Sequence, residues 1–380
     1  MRTSIAIVAL AMAATARADQ TVAPGERAAI GGGYRLEYDA GGLRLRHGHR
    51  TAPLTIAGDR PTYQAVTIVR RGADVTLGFM PTCWDVDQTF SRDQLAARLE
   101  HAAGRAARRR DLDAALAHLT RAHTLDPGFA PAAHDLAVAL AAAGRLDEAA
   151  AALPIADPIA RYVAVALDDE LAALREHPTV IAARAPAPGT GALGPLGLGV
   201  TPDGAVVGRE SRGNHGACST DDDLVILDGA TLRERARIPQ VRMADYRGDG
   251  CDQPTFGRAG RRRIAAREAR ARQVLIDLGV TPLAGELATV SSDWTRHVQK
   301  LRFAAAGLGL VIGADGAARW FRDGALVAEH GPGTAHQPGG LLLAEPIAVL
   351  VPDQRRVIAQ IDHAGCEWNE EVSWYAIPMP

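Results

Sequence analysis

The stretch that decides the fold is LTRAHTLDPGFAPAAHDLAVALAAAGRLDEAAAAL, residues 119–153. Alanine and leucine recur through it with the period of about 3.6 residues that is typical of an α-helix. Pro127 and Gly144 interrupt this pattern, because proline cannot continue a helix and glycine readily adopts the left-handed conformation that ends one. The stretch therefore predicts short antiparallel helices joined by tight turns, with one of the helices ending at Gly144.

The same spacing of small and apolar residues occurs twice in this part of the chain. With Ala96 at the first place of a 34-residue frame, Pro127 stands at place thirty-two, and a second frame begins at Ala130. Places four, seven, eight, eleven, twenty and twenty-four hold Leu99, Ala102, Ala103, Ala106, Ala115 and Leu119 in the first frame and Ala133, Leu136, Ala137, Leu140, Ala149 and Leu153 in the second. Small residues at places eight and twenty let two helices approach closely, and leucines fill the space between them.

Over roughly 90 residues this pattern resembles the tetratricopeptide repeat family, whose members stack antiparallel helical pairs. Two departures concern packing. The places that usually hold aromatic residues hold leucine or alanine here, so we expect a lightly packed stack. Place thirty-two of the second frame is Arg161, and Pro154 and Pro158 come early, so we expect the second helix of that repeat to end short.

The resemblance implies a concave groove that binds peptide segments or partner proteins, and therefore an unidentified protein or peptide partner. We expect five side chains to line it: Arg98, Arg105, Arg109, His134 and Arg145. A third amphipathic segment, ARYVAVALDDELAALREHPTVIAARA, follows out of register and is expected to cap the stack, since about three units are needed to bury a continuous core. A rigid spacer between two β domains, or an ordinary helical hairpin in an alanine-rich chain, would fit the same residues.

Composition divides the chain into several parts. Residues 19–90 alternate apolar and polar side chains between Gly-rich turns and predict a small antiparallel β domain. The helical repeats occupy residues 92–185, and residues 186–197 form a linker rich in proline and glycine. Residues 198–380 return to short strands with one Arg-rich helix near residues 258–278. The sequence therefore predicts a multidomain α+β protein.

Two segments of the C-terminal part carry hairpin signals. GLGVTPDGAVVGRE contains a tight turn at Pro202 and Gly204, and AVLVPDQRRVIAQI is related to it. Both are weakly similar to the hairpins of β-propeller blades. The intervening helix and a length that barely holds four blades favour an α+β or incomplete propeller-like domain.

The N-terminus has the features of a signal peptide, residues 1–18. Arg2 precedes an apolar run from Ile5 to Ala14, and small residues flank the expected cleavage near Ala18. We therefore expect export to the periplasm or outside the cell. That run is too short to cross a hydrocarbon core of about 30 Å, and no later run reaches the roughly 18 apolar residues that a transmembrane helix needs.

Four cysteines lie in the exported part, and an even number in an oxidising compartment predicts two disulfides. Of the three possible pairings we favour Cys218 with Cys251, since both lie in Gly- and Asp-rich loops of one domain, and by elimination Cys83 with Cys366. Metal binding is the alternative, but the sequence has no CxxC or HxxxH spacing that would bring ligands together locally.

Charge and composition exclude several function classes. The net charge is −2, which does not favour nucleic-acid binding. Lys300 is the only lysine, so neither a phosphate-binding GxxxxGK[ST] loop nor an SxxK catalytic pair is present. No cofactor is expected.

Several short motifs fail in their context. Residues 189–194 read GTGALG, but no strand precedes this literal GxGxxG and Pro195 follows where a helix should begin, so we interpret it as linker. DYRGDGCDQ is not a calcium loop, because Arg247 takes a ligand position. Asp221, Asp222 and Asp223 are expected to form a solvated turn before a strand.

Two pairs of residues that include histidine are candidates for chemistry. His47 and His49 are expected to share one strand face, but no third metal ligand is identifiable near them. Ser211 and His215 lack the GxSxG turn of serine hydrolases. The preferred interpretation is therefore an exported protein–protein interaction or scaffold protein with a short repeat groove and no evident catalytic activity. The alternative is an envelope hydrolase with its site in the C-terminal part.

The Arg-rich segment GRRRIAAREARARQVLIDLG allows two interpretations. Its apolar stripe of Ile264, Ala271, Leu275 and Leu278 could lie on an anionic membrane. We favour packing of this stripe on the sheet, with the arginines in solvent.

Overall fold

The computed structural model describes residues 20–39, 42–56, 65–79, 86–194, 197–214, 219–247, 255–293, 298–313, 316–331, 341–342, 347–351, 355–364 and 370–380. The chain separates into two compact units, one ending at Pro154 and the other beginning at Ile155. The expected signal peptide, all four cysteines and His215 lie outside the described residues. The signal peptide and the two disulfides therefore stay predictions.

The first unit opens with strands β1 (Gln20–Val22), β2 (Arg27–Gly31), β3 (Tyr34–Asp39), β4 (Gly42–His47), β5 (Arg50–Pro53), β6 (Val66–Arg71), β7 (Asp74–Phe79) and β8 (Val86–Phe90). They form two antiparallel sheets with the orders β1-β6-β7-β8 and β2-β3-β4-β5. Leu36 and Leu45 face each other across β3 and β4 and are fully buried. The alternation in the sequence thus places one face of each strand in the core.

Four helices follow in the first unit: α1 (Arg92–Ala107), α2 (Leu112–Leu125), α3 (Ala130–Ala142) and α4 (Leu146–Ala152). Ser91 and Gln94 cap the start of α1 reciprocally, since each side chain accepts a hydrogen bond from the other's backbone N–H. Gly144 has a φ of 75° just after α3, as the sequence predicted. The predicted short helix of the second repeat is α4, with 7 residues.

One face of α1 belongs to the core of the sheets. Leu95 and Leu99 are buried in the same apolar cluster as Leu36 and Leu45. The helical pairs therefore continue directly from the β core, because α1 contributes its leucines to the sheets and its other side to α2.

The close contact between α1 and α2 occurs at Gly104. A Cβ atom on this glycine would lie 2.6 Å from Cγ of Leu119. Ala115 is fully buried beside it, whereas Ala103, where the sequence predicted the close approach, is only half-buried. The close approach of α1 and α2 therefore occurs at Gly104, one residue after the predicted Ala103.

The second unit contains strands β9 (Gly199–Val200), β10 (Val206–Asn214), β11 (Ser219–Leu227), β12 (Glu234–Val241), β13 (Tyr246–Arg247), β14 (Thr255–Phe256), β15 (Thr281–Pro282), β16 (Glu286–Leu287), β17 (Thr289–Asp293), β18 (Val298–Phe303), β19 (Leu308–Ile312), β20 (Ala318–Arg322), β21 (Ala325–His330), β22 (Leu341–Leu342), β23 (Ile347–Val351), β24 (Arg356–Ala364) and β25 (Glu370–Pro378). Two five-stranded sheets have the orders β12-β11-β10-β9-β15 and β17-β18-β19-β20-β21. A third sheet has the order β16-β23-β24-β22, and β25 pairs with the other edge of β24. The short strands β13 and β14 pair with each other.

These three sheets share two apolar cores. Ala348 and Leu350 of β23 lie in one core with β18–β20. Val349 and Val351 lie in the other with β10 and β11. Both faces of β23 are therefore covered, which explains why its sequence, IAVLV, is apolar throughout instead of alternating.

The helices of the second unit are α5 (Pro158–Leu167), the single turn α6 (Pro178–Ile181) and α7 (Arg258–Asp277). The sequence groups α5 and α6 with the repeats as a cap. In the structure α5 packs on β12 and α7. The Asp157 carboxylate at the start of α5 pairs with Nε of Arg235 on β12 at 2.8 Å. The predicted fold class is confirmed, with helical pairs in the first unit and a mainly β second unit.

The Arg-rich helix α7 packs within the second unit, as we favoured. Ala271, Val274 and Leu275 are buried. Arg263 and Arg267 both pair with the fully buried carboxylate of Asp245. These two arginines are partly exposed, at 48% and 27%, but they are ion-paired instead of being solvated alone as the sequence predicted.

The GTGALG segment lies against the C-terminal end of α7. The N–H of Gly189 donates to the carbonyl of Ile276 at 2.8 Å, and the N–H of Gly191 donates to that of Val280 at 3.2 Å. A Cβ atom on Gly189 would lie 2.3 Å from the carbonyl carbon of Gly279. Close backbone packing therefore accounts for Gly189 without a nucleotide.

Two local predictions were wrong. Asp221, Asp222 and Asp223 lie inside β11 rather than in a turn before it, and Asp223 is buried in ion pairs with Arg237 and Arg242.

His49 lies in the turn between β4 and β5, so it does not share a strand face with His47. A tight turn reverses the chain there, and the His47 ring instead stacks on Tyr34.

Candidate functional site

The polar centre of the helical pairs is the carboxylate of Asp135 on α3, whose side chain is 11% exposed. Nε2 of His101, on α1, lies 2.6 Å from its Oδ2. Arg105, also on α1, and Arg108, the residue that follows this helix, approach the two carboxylate oxygens at 3.4 Å each. Nδ1 of His134 lies 3.6 Å from Oδ1. One carboxylate therefore joins the first helices of the two pairs.

This environment holds the pKa of Asp135 well below its usual range. Burial on its own would raise this pKa, but the hydrogen bond with His101, the nearby His134 and the positive charge of Arg105 outweigh it. Asp135 is therefore ionised at neutral pH, and it compensates part of the positive charge on α1.

A second ion pair lies beside the first. The Arg98 guanidinium pairs with Asp126, in the turn between α2 and α3, and lies over the rings of Phe129 and Phe90 at 4.1 and 5.3 Å from their centroids. The Arg98 side chain is only 11% exposed. It holds the turn against α1 and presents little surface to a partner.

A third cluster surrounds Glu100, whose side chain is 8% exposed. It accepts a hydrogen bond from Arg50 of β5 at 2.7 Å and lies 2.7 Å from Nδ1 of His118 of α2. Burial alone would raise the pKa of Glu100, but hydrogen bonds with His118 and Arg50 lower it. This cluster ties the sheet, α1 and α2 together.

The structure brings only some of the five predicted groove residues together. Arg105 and His134 both approach Asp135, as described above. Arg109 is exposed in the turn after α1. Arg145 donates two hydrogen bonds to Glu148 of the following helix, at 2.7 and 2.6 Å. Arg98 is enclosed by its partners.

The exposed cations gather at the C-terminal end of α1. Arg105, Arg109 and Arg110 are exposed there, and we call these three residues the α1 basic end. The Arg105 side chain is 62% exposed although its Nε approaches Asp135. Cations are favoured at this end of a helix because the backbone carbonyls carry partial negative charge. Exposed guanidinium groups in this arrangement are chemically suited to contacts with carboxylate or other anionic groups.

Sequence reasoning missed His101, Arg108 and Asp135. A signal was present, because His101 and Arg105 on α1 and Arg108 immediately after it recur at the helical period, which places them on one side. Asp135 is an acidic residue inside the apolar run of α3, and a buried carboxylate needs partners.

Within the described ranges, no group of three or more His, Cys, Asp or Glu side chains is placed to hold a metal ion. No helix among the described residues combines the length and the apolar character that crossing a membrane requires.

Comparison with known proteins identifies the repeats. The family described as tetratricopeptide repeat matches residues 106–161, from the end of α1 through α2, α3 and α4 into α5. The match includes the turns at Pro127 and Gly144 on which the prediction rested. No curated protein matches the chain, and no solved structure matches it.

Proposed function

We propose that this chain is an exported protein that binds a protein or peptide partner through the helical pairs α1–α4. The observation that carries the proposal is the tetratricopeptide match over residues 106–161, since such repeats indicate a role in protein–protein interaction. The sequence features of residues 1–18 support export. A mature chain that begins near Asp19 in the mass spectrum would test this part.

Charge indicates the chemistry of the partner. The α1 basic end presents three exposed arginines, and arginine binds carboxylates with two parallel hydrogen bonds. Asp135 is enclosed by the cations of its own network and offsets only part of their charge. We therefore infer that the partner offers an acid-rich segment to this end of the repeats.

The direct test reverses two charges at this surface. Arg109→Glu with Arg110→Glu changes exposed side chains only, so the fold should persist while an acidic partner is repelled. The intact chain and the variant are each immobilised, and the proteins retained from an envelope extract are identified. We expect the specific partner to disappear with the variant.

The matched control is Arg258→Glu with Arg262→Glu. These arginines are also exposed, but they lie on α7 of the second unit, and the change in net charge is identical. A partner that is retained by the control and lost from the α1 variant supports the proposal. An unchanged set of proteins with the α1 variant contradicts it and favours the rigid-spacer interpretation.

The hydrolase alternative has less support. Oγ of Ser211 donates a hydrogen bond to the Asp222 carboxylate across β10 and β11. A carboxylate paired directly with a serine is not the histidine base that serine hydrolysis commonly uses. We therefore assign no catalytic role to this pair.

A further inference from the structure

The second unit contains a cavity of about 230 Å³ between α5, the segment around α6 and α7. It is smaller than most small-molecule sites, which have volumes of roughly 300–1,000 Å³. Its lining combines charged side chains of both signs with an apolar part. The apolar part consists of Ala166, Val180 and Val274. Its size and lining match a small ligand that carries charge at two points.

One side of the cavity carries excess positive charge. Arg175 and Arg270 share the single carboxylate of Asp169, with distances of 3.1 and 2.6 Å. Within the described part of the chain, the Nε–H of Arg175 is also buried without an acceptor. A buried donor without a partner is unfavourable, so this side of the cavity favours an anionic ligand group.

The neighbouring pair adds no net charge. Arg184 donates two hydrogen bonds to Glu176, at 3.1 and 2.8 Å. Its guanidinium lies 5.7 Å from the ring centroid of Tyr162. Arg184 and Glu176 therefore line the cavity as an ion pair that adds no net charge to its lining.

The other side carries excess negative charge, on Asp277. The Asp277 carboxylate accepts hydrogen bonds from the hydroxyl of Tyr162 and, at 2.9 Å, from the amide of Gln273. Both donors are neutral. Burial, and then the hydrogen bond to Asp277, raise the pKa of the Tyr162 phenol, so it stays protonated and remains the donor. Because neither donor carries a positive charge, the side of the cavity around Asp277 suits a cationic ligand group.

The two charged sides lie well apart. Arg270 and Asp277 are seven residues apart on α7, about 10 Å along the helix axis. The ammonium and carboxylate of a free α-amino acid are attached to one carbon atom and cannot reach both sides. An extended dipeptide spans about 7 Å, and the long arginine side chains can close the remaining distance.

We infer that this cavity binds an unblocked dipeptide with small apolar side chains. Its carboxylate would lie toward Arg175 and Arg270, its ammonium toward Asp277, and its side chains against Ala166, Val180 and Val274. The inference concerns the second unit alone and does not depend on the partner of the helical pairs.

The test is calorimetric titration of the full chain with L-alanyl-L-alanine. Three further probes each remove one feature: the N-acetylated dipeptide lacks the ammonium, the dipeptide amide lacks the carboxylate, and L-alanine lacks the length. We expect each to bind at least about tenfold more weakly than the dipeptide, because each loses one charge-assisted contact.

Two variants and two matched controls locate the site. Asp277→Asn and Arg175→Gln should each weaken dipeptide binding at least about tenfold. Glu268→Gln and Arg262→Gln make the same chemical changes at exposed positions of α7 and should leave the affinity unchanged. If one cavity variant does not fold, the other variant and the blocked dipeptides still test the inference.

Two results would overturn the inference. One is the absence of measurable dipeptide binding to the intact chain. The other is binding that persists at equal strength in a folded Asp277→Asn or Arg175→Gln variant, or with the blocked dipeptides.

Discussion

At the scale of single residues, one glycine decides how closely α1 and α2 pack. A helix interior normally favours alanine over glycine by about 1 kcal/mol. Gly104 is nevertheless required here, because the side chain of Leu119 occupies the space that a Cβ atom would need. The repeat pattern predicted the close approach at Ala103, but in the folded protein Leu119 packs against Gly104 instead.

Gly104→Ala should therefore destabilise the first unit by about 1–2 kcal/mol, since the strain of overpacking exceeds the gain in helix propensity. Urea unfolding followed by circular dichroism measures this change. Gly128→Ala is the matched control, because its Cβ would meet only Asp126 at an ordinary 3.6 Å. Equal stability of the two variants would contradict this account of the packing.

Asp135→Asn should lower the free energy of unfolding by about 2 kcal/mol at pH 7, because it removes the negative charge that His101 and Arg105 contact. The pKa of Asp135 is lowered in the fold. The stabilisation by the ionised Asp135 carboxylate is therefore complete at pH values above the unfolded-state pKa of about 3.9 and is lost as the pH falls below that value. The difference in free energy of unfolding between wild type and Asp135→Asn should therefore shrink as the pH falls.

The measurement is denaturant unfolding at a series of pH values from 7 down to about 3. Asp113→Asn, an exposed change on α2, should shift stability by no more than about 0.5 kcal/mol. A difference between wild type and Asp135→Asn that stays constant over this range would refute the assigned role of the charge.

At the scale of elements, α7 shows how a strongly basic helix is held in a nearly neutral protein. Its apolar stripe packs inward, and Asp245 meets two of its arginines from outside the helix. The backbone N–H of Arg242 also donates to this carboxylate at 3.0 Å. The helical period of the stripe was visible in the sequence. The partner of the arginines was not, because Asp245 is distant from them along the chain.

Asp245→Asn should destabilise the second unit by about 2 kcal/mol, since Arg263 and Arg267 would lose a charged acceptor while remaining partly exposed to water. Calorimetric unfolding of the intact chain measures this loss. Asp228→Asn changes a half-buried carboxylate whose Oδ1 accepts hydrogen bonds from its own turn, and it should have a smaller effect because the amide oxygen can still accept them. A stability equal to that of wild type would show that the apolar stripe alone holds α7.

At the scale of the whole molecule, the boundary between the units falls within the run of helices. The sequence pattern groups all helices between residues 92 and 185, because the segment that contains α5 and α6 is amphipathic like the repeats. The structure assigns α5 to the second unit, where Arg235 and Asp277 bind its side chains. Amphipathicity shows that a helix has a buried face, but it does not identify the surface that covers this face.

Two ways of dividing the chain test this boundary. Residues 20–154 and 155–380, produced separately, should each unfold cooperatively, because each contains its own apolar core. Division after residue 185 should leave a C-terminal fragment without α5 and α6, and we expect it to melt at lower temperature. Differential scanning calorimetry compares the fragments. A more stable C-terminal fragment from the second division would refute the boundary.

The sequence by itself determined what is encoded locally. The helical period, the turns at Pro127 and Gly144 and the alternation of β3 and β4 predicted the elements and their order, because such signals depend on neighbours within a few residues. Only the tertiary structure decided which side chains meet: the enclosure of Arg98, the cations around Asp135, and the opposed charges of the cavity on α7. Those contacts join residues far apart in the chain, and the balance of burial and charge at each of them exists only once the chain has folded.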